Sequence, residues 1–123
     1  MDWFNLALDL LVPLIMIGIG LSFLKKPPKD INGAYGYRTP MSMKNQDTWD
    51  FAHRVCGRVW CIAGLVMLPL GALAWWRTLP YAEGNRGFLT AATTGLEAVV
   101  MLLTIIPVER ALYQAFDKQG NRK

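Results

Sequence analysis

The sequence predicts an all-α membrane protein: three transmembrane helices, with a cytoplasmic loop and an amphipathic lead-in before helix 2. Three observations carry this expectation. The chain has 123 residues, room for a single domain over 1–123. Its composition is 53% hydrophobic, and its charges leave long gaps holding only apolar, small or hydroxyl side chains. Gaps of about 18 residues or more suit helices that cross the hydrocarbon core, since about 20 residues at 1.5 Å each span it. The basic residues, finally, crowd beside two of the gaps rather than spreading along the chain.

The first span covers about 3–24. A Trp-Phe pair marks its outer edge and Lys25 with Lys26 stops it. Pro13, Gly18 and Gly20 interrupt it, which a membrane helix tolerates when neighbouring helices satisfy the freed backbone groups. The loop 25–54 follows. Its first part, KKPPKDINGAYGYRTPMSMKNQ, is too rich in Pro, Gly, Asn and Asp for a regular element and too long for an idle connector.

The second helix is expected to start at Asp47 or Thr48, both good N-caps, and to run on to Trp76. That exceeds one crossing, so residues 48–57 read as the lead-in, with the span proper over about 55–76. Pro69 should kink it by removing a hydrogen bond to the Leu65 carbonyl. Gly57, Gly64 and Gly71 recur every seven residues and line one stripe, where a second helix can approach closely. The third span, about 88–108, is ended by Pro107, and the tail 109–123 can add one or two helical turns. In that tail Leu112 and Phe116, four apart, are expected to face lipid.

Orientation follows from charge. Lys25, Lys26, Lys29, Arg38, Lys44, Arg54 and Arg58 belong to the long loop and lead-in; Arg110, Lys118, Arg122 and Lys123 to the tail. Only Arg77 and Arg86 lie in the other connection. Eleven basic residues against two place the loop and the C-terminus in the cytoplasm and the N-terminus, with its Asp2, outside. The expected home is therefore a membrane, and the net charge of +4 suits anionic headgroups rather than nucleic acid. The start of the chain lacks a positive n-region and a small-residue cleavage site, so no removed signal peptide is expected. Cys56 and Cys61, five apart on one helix, point about 140° away from each other and cannot bridge there.

Two acids stand out inside the spans. Glu97 lies at the middle of the third, and counting rises puts Asp9 of the first at a similar depth. An ionised carboxylate in hydrocarbon costs several kcal/mol, so Glu97 should be protonated, paired or facing a wet cavity. One reading is a proton-linked or polar-ligand site built from both; the other is a protonated acid acting as interhelical glue. His53 is the only histidine, and Asp50, His53 and Cys56 give D-x-x-H-x-x-C along one face. Nothing repeats that spacing, so no metal site and no cofactor are expected. His53 is expected at the headgroup boundary, with Asp50 pairing Arg54 at i+4. Trp49 and Trp60 fit interfacial anchoring and helix contacts equally. No G-x-S-x-G, H-E-x-x-H or phosphate-cradling glycine loop occurs, and no catalytic residue is assigned.

The order G-Y-R-T-P, then S-M-K-N, then T-W-x-x-A-x-x-x-x-G resembles the SdpI-like family of bacterial membrane proteins. The matching positions are Gly36, Tyr37, Arg38, Thr39, Pro40, Ser42, Asn45, Trp49, Ala52 and Gly57. The resemblance covers about 30 residues, and the flanking spans agree only in hydropathy. It implies a small multi-pass protein whose family's best-known activity is immunity to a secreted sporulation-delaying peptide toxin. It also implies a cytoplasmic partner, since the family's namesake is associated with holding a transcriptional repressor at the membrane. This chain is a short form, without the extra membrane segments of the larger relative. The motif suits a loop folded back on the bundle, with Tyr37 and Trp49 at the interface and Arg38 free to pair bidentately with a phosphate or carboxylate. Thr39 and Asn45 can satisfy backbone groups ahead of Thr48.

Three functions compete. The first is a non-enzymatic immunity or interaction protein that binds a peptide toxin or its membrane target, using the motif residues together with His53 and Arg54. The second is an enzyme acting on a lipid or peptide at the inner leaflet through His53, Arg38 and Arg54. The third is a proton-linked transporter centred on Glu97, which would need a homo-oligomer because three helices hardly enclose a pathway.

Overall fold

The computed structural model describes residues 3–123; Asp2, expected on the outer side, lies outside the described residues. Four helices follow in chain order: α1 (Trp3–Lys25), α2 (Gln46–Thr78), α3 (Glu83–Leu103) and α4 (Ile105–Ala115). Three stretches are long and apolar enough to cross a membrane: Trp3–Lys25, Gln46–Thr78 and Glu83–Ala115. The chain is a multi-pass, all-helical membrane protein.

The central packing is the antiparallel pair of α1 and α2. On α1 the buried positions are Asp9, Pro13, Met16, Gly20 and Phe23, steps of three and four that keep to one face. Opposite them runs the glycine stripe of α2. A Cβ added at Gly57 would lie 2.9 Å from the Gly20 carbonyl oxygen, and one at Gly64 would lie 2.8 Å from that of Pro13. At Gly71 the Asp9 carbonyl oxygen would stand at 2.6 Å. The backbones therefore meet along the whole crossing, as small-residue stripes permit.

The outward faces are apolar. Ile62, Leu65, Val66 and Leu70 of α2 and Leu96, Val99 and Leu102 of α3 are all exposed, as residues turned toward acyl chains should be. On α3 the polarity is turned inward: Thr90, Glu97 and Thr104, seven apart, form its buried edge. Trp60 of α2 donates its indole N–H to the Thr104 hydroxyl at 2.8 Å. At the far end Trp3 stacks on Trp75, with centroids 6.1 Å apart.

Three expectations need correction. Helix α2 starts two or three residues earlier than expected, because Asn45, rather than Asp47 or Thr48, is its N-cap and Thr48 is the third residue of a capping box. The third hydrophobic stretch breaks at Thr104, ahead of Pro107, which falls in the first turn of α4. Proline has no N–H for the Leu103 carbonyl and its ring crowds that turn, so the break comes on the N-terminal side. Leu112 and Phe116 face inward: both are fully buried, in a cluster with Met41 and Ala52. The i, i+4 spacing marked an apolar face correctly, but folding the loop over α2 gives that face a protein partner instead of lipid.

Candidate functional site

The motif folds into a plug over the first turns of α2. It begins with an Asx turn in which Asn32 Oδ1 accepts the N–H groups of Ala34 (2.9 Å) and Tyr35 (2.7 Å). Gly36 follows at φ +120, a backbone conformation that side chains rarely adopt. Position 36 also lacks room: a Cβ would stand 2.6 Å from His53 Nε2 and 3.1 Å from both Trp49 and Pro28.

Past Gly36 the chain is held by reciprocal hydroxyl bonds. The Ser42 hydroxyl accepts from the Thr39 N–H (2.9 Å) and donates to the Tyr37 carbonyl (3.0 Å), while the Thr39 hydroxyl accepts from the Ser42 N–H (3.2 Å). Pro40 sits exposed at the corner, and Met41 drops into the core beside Phe116. The capping box comes next. Asn45 Oδ1 accepts from the Thr48 N–H at 2.9 Å and Thr48 Oγ1 accepts from the Asn45 N–H at 3.1 Å. Asn45 also spends its amide N–H on the Gly120 carbonyl, 2.7 Å away, which ties the tail to the start of α2.

Two side chains of α2 pin the plug from below. Trp49 donates its indole N–H to the Pro28 carbonyl at 2.7 Å. His53 Nε2 accepts the Tyr37 N–H at 2.9 Å, and its Nδ1 lies 2.7 Å from the Trp49 carbonyl. A carbonyl can only accept, so Nδ1 carries the proton and the ring is the neutral Nδ1–H tautomer. Both nitrogens are engaged by backbone. Each residue is fully buried within the protein, in edge or tilted contact with the other and, for His53, with Phe23. Asp50 accepts from Gln46 Nε2, one turn before it, at 2.8 Å; its expected partner Arg54, one turn after, is exposed.

Between this plug and the α3/α4 junction lies a largely apolar cavity of about 290 Å³, lined by Phe23, Cys56, Trp60 and Thr104 with Tyr37 and Arg38 at its edge. Arg38 is exposed and donates through Nη1 to the Gly33 carbonyl, leaving the rest of its guanidinium to other partners. Burial, reinforced by the neighbouring Glu109 carboxylate, pushes the Tyr37 phenol far above its ordinary range, so it remains a neutral hydroxyl.

The two intramembrane acids form a second, separate locus. Around Gly71, the Asp9 carbonyl oxygen and Glu97 Oε2 lie 2.6 Å and 3.1 Å from where a Cβ would stand. Asp9 is fully buried and Glu97 is 7% exposed. The Asp9 backbone and the Glu97 carboxylate both meet Gly71, and neither joins the motif residues. The sequence reading missed the roles of Ser42, Pro28, Gly120 and Thr104. Only Ser42 carried a signal, by its place in the motif; the others act through contacts with residues remote in sequence.

The comparisons with known proteins agree with this layout. The family model for the SdpI/YfhL proteins matches residues 29–109, a stretch that contains the plug, α2, α3 and the start of α4. A Bacillus subtilis (strain 168) protein named as uncharacterized protein YfhL is 41% identical over 59 residues. That alignment covers 48% of this chain and 54% of the relative, so the chain spans about half the relative's length. No solved structure matches. With two thirds of its residues inside the family match, a helical bundle crossing the membrane and the G-Y-R-T-P loop as its plug, the chain belongs to the SdpI/YfhL protein family.

Proposed function

We propose that this chain is an immunity protein of the bacterial cell membrane that protects against a membrane-acting peptide toxin by binding the toxin or its membrane target. The observation behind this reading is Arg38. Its guanidinium stands exposed beside the 290 Å³ apolar cavity, on a loop held in shape by Asn32, Thr39 and Ser42. A rigid loop presenting one cation over an apolar hollow suits a ligand with an apolar body and a carboxylate or phosphate, such as a peptide terminus. Arg54, exposed two turns along α2 from the cap, adds a second cation for anionic lipid or for a cytoplasmic protein partner.

The plug and tail carry eleven of the thirteen basic residues, which supports a cytoplasmic plug and an outer N-terminus. A catalytic role for His53 is disfavoured, since a general base needs a ring nitrogen free for substrate.

Survival of toxin-sensitive bacteria expressing the chain tests the proposal, with Arg38→Ala and Arg38→Lys compared at matched membrane levels. Protection by wild type, lost in both variants, is expected of bidentate recognition. Protection retained in Arg38→Lys reduces the contact to simple charge. No protection by wild type against the toxin that the family's namesake neutralises removes the proposal for that toxin.

A further inference from the structure

The hollow under the plug is continuous with the face that the bundle turns to lipid. Leu102 and Ile105, from either side of the break between α3 and α4, line it and are 62% and 42% exposed. Phe23 of α1 also lines it, two residues or about 3 Å of rise inside the Lys25 and Lys26 pair that closes that helix. Lysines at the end of a membrane-spanning helix sit at headgroup level, so the hollow lies just beneath, at the depth where acyl chains begin. Its walls offer little to a polar guest. Trp60 gives its indole N–H to the Thr104 hydroxyl at 2.8 Å, and that hydroxyl is itself spent on the Met101 carbonyl. Cys56 adds only a thiol, a weak donor. Among the described residues Arg38 is the one charged side chain that lines the hollow.

We propose that this site binds a phospholipid of the leaflet on the plug side, with its phosphodiester on the Arg38 guanidinium and one acyl chain in the hollow. The proposal rests on the reading of Arg38 and the hollow as a recognition site, and it makes the membrane target, rather than the toxin, the thing recognised. Arg38 gives one donor to the Gly33 carbonyl, and the planar fork keeps others that match two oxygens of a phosphate. Carried on a loop fixed by its own hydrogen bonds, the guanidinium is held in place before the lipid arrives, which lowers the ordering cost of binding. A peptide terminus would also suit Arg38. It would, however, bring amide N–H and C=O groups into a hollow where Trp60 and Thr104 already answer each other, and unpaired amides are costly to bury. An acyl chain brings none, and it can enter past Leu102 and Ile105 without leaving the hydrocarbon. The eleven basic residues of the plug and tail favour a lipid of net negative charge.

Native mass spectrometry of the full chain released from detergent micelles tests this, with phosphatidylglycerol as the probe. The wild type should hold one phospholipid more tightly than any further copy. Arg38→Ala should weaken that first binding by about tenfold or more, since a charge-assisted contact is lost. Ile105→Trp, which adds bulk at a wall of the hollow where the side chain is already part-exposed, should weaken it comparably. Lys118→Ala removes an exposed tail cation that does not line the hollow and should leave binding unchanged. Equal binding of every lipid copy by the wild type overturns the proposal. So does a loss in Lys118→Ala as large as that in Arg38→Ala, which would mark a diffuse charge effect. Displacement of the lipid by an equal concentration of an apolar peptide with a free C-terminal carboxylate also overturns it, and returns the site to the toxin. Failure of the wild type to protect cells while it still holds the lipid strikes the immunity reading alone; protection without a held lipid strikes this proposal alone.

Discussion

His53 and Glu97 are both buried titratable side chains, and the chain treats them in opposite ways. Both nitrogens of His53 are matched to backbone groups, one donor to one acceptor, and the ring is locked between Tyr37 and Trp49. Neither oxygen of Glu97 has a hydrogen-bond partner among the described residues, though the side chain is almost as deeply buried. A satisfied buried polar group fixes one structure; an unanswered one costs stability where it sits. The plug end of the bundle is accordingly held by matched polar groups, and the Gly71 junction by close packing around an unmatched one.

This contrast can be broken at either end. The largest effect is expected at the plug, from Gly36→Ala. Its φ of +120 and the 2.6 Å approach to His53 Nε2 should together cost about 3 kcal/mol, read from denaturant unfolding in micelles. A loss below about 1 kcal/mol would show that the loop can lift off α2 freely. Next, Gly71→Ala should cost about 2 kcal/mol by overpacking against the Asp9 carbonyl. Gly18→Ala, where nothing lies within 4 Å, is the control and should be neutral or slightly stabilising.

His53→Phe retains a ring but leaves the Tyr37 N–H unanswered, and about 1–2 kcal/mol should go with it. A neutral outcome would place His53 on the same footing as Glu97 and dissolve the contrast. Asn45→Ala should remove about 1 kcal/mol through the lost cap, visible as a lower melting temperature. The smallest effect, within about 0.5 kcal/mol, is expected for Arg38→Ala, because that side chain is exposed. Arg38 is nevertheless where protection against toxin should fail, so stability and function separate there.

What the sequence made legible depended on the range of the interactions. Hydropathy located the three spans, since crossing a membrane is a property of one segment at a time. The seven-residue glycine spacing foretold the close crossing, and rise per residue matched the depths of Asp9 and Glu97. The capping residue was missed because Asp47, Thr48 and Asn45 are all competent caps, and the choice follows from Gly120 and Ser42 holding Asn45 and Thr48. The inward turn of Leu112 and Phe116 was missed for a related reason: an apolar helix face beside a membrane has two possible hosts. Only the docking of Met41 and Ala52 decides between them.

The bond from Asn45 to Gly120 sets an order of events. These residues are 75 positions apart, so the capping box, which needs only Asn45 and Thr48, can close well before the Asn45 amide meets the Gly120 carbonyl. Helices α1 and α2 can enter the bilayer and pair earlier, but the plug stays unlatched until the tail arrives. The segment around Gly120 thus works as the clasp of the assembly, closed only after the helices it fastens have been made.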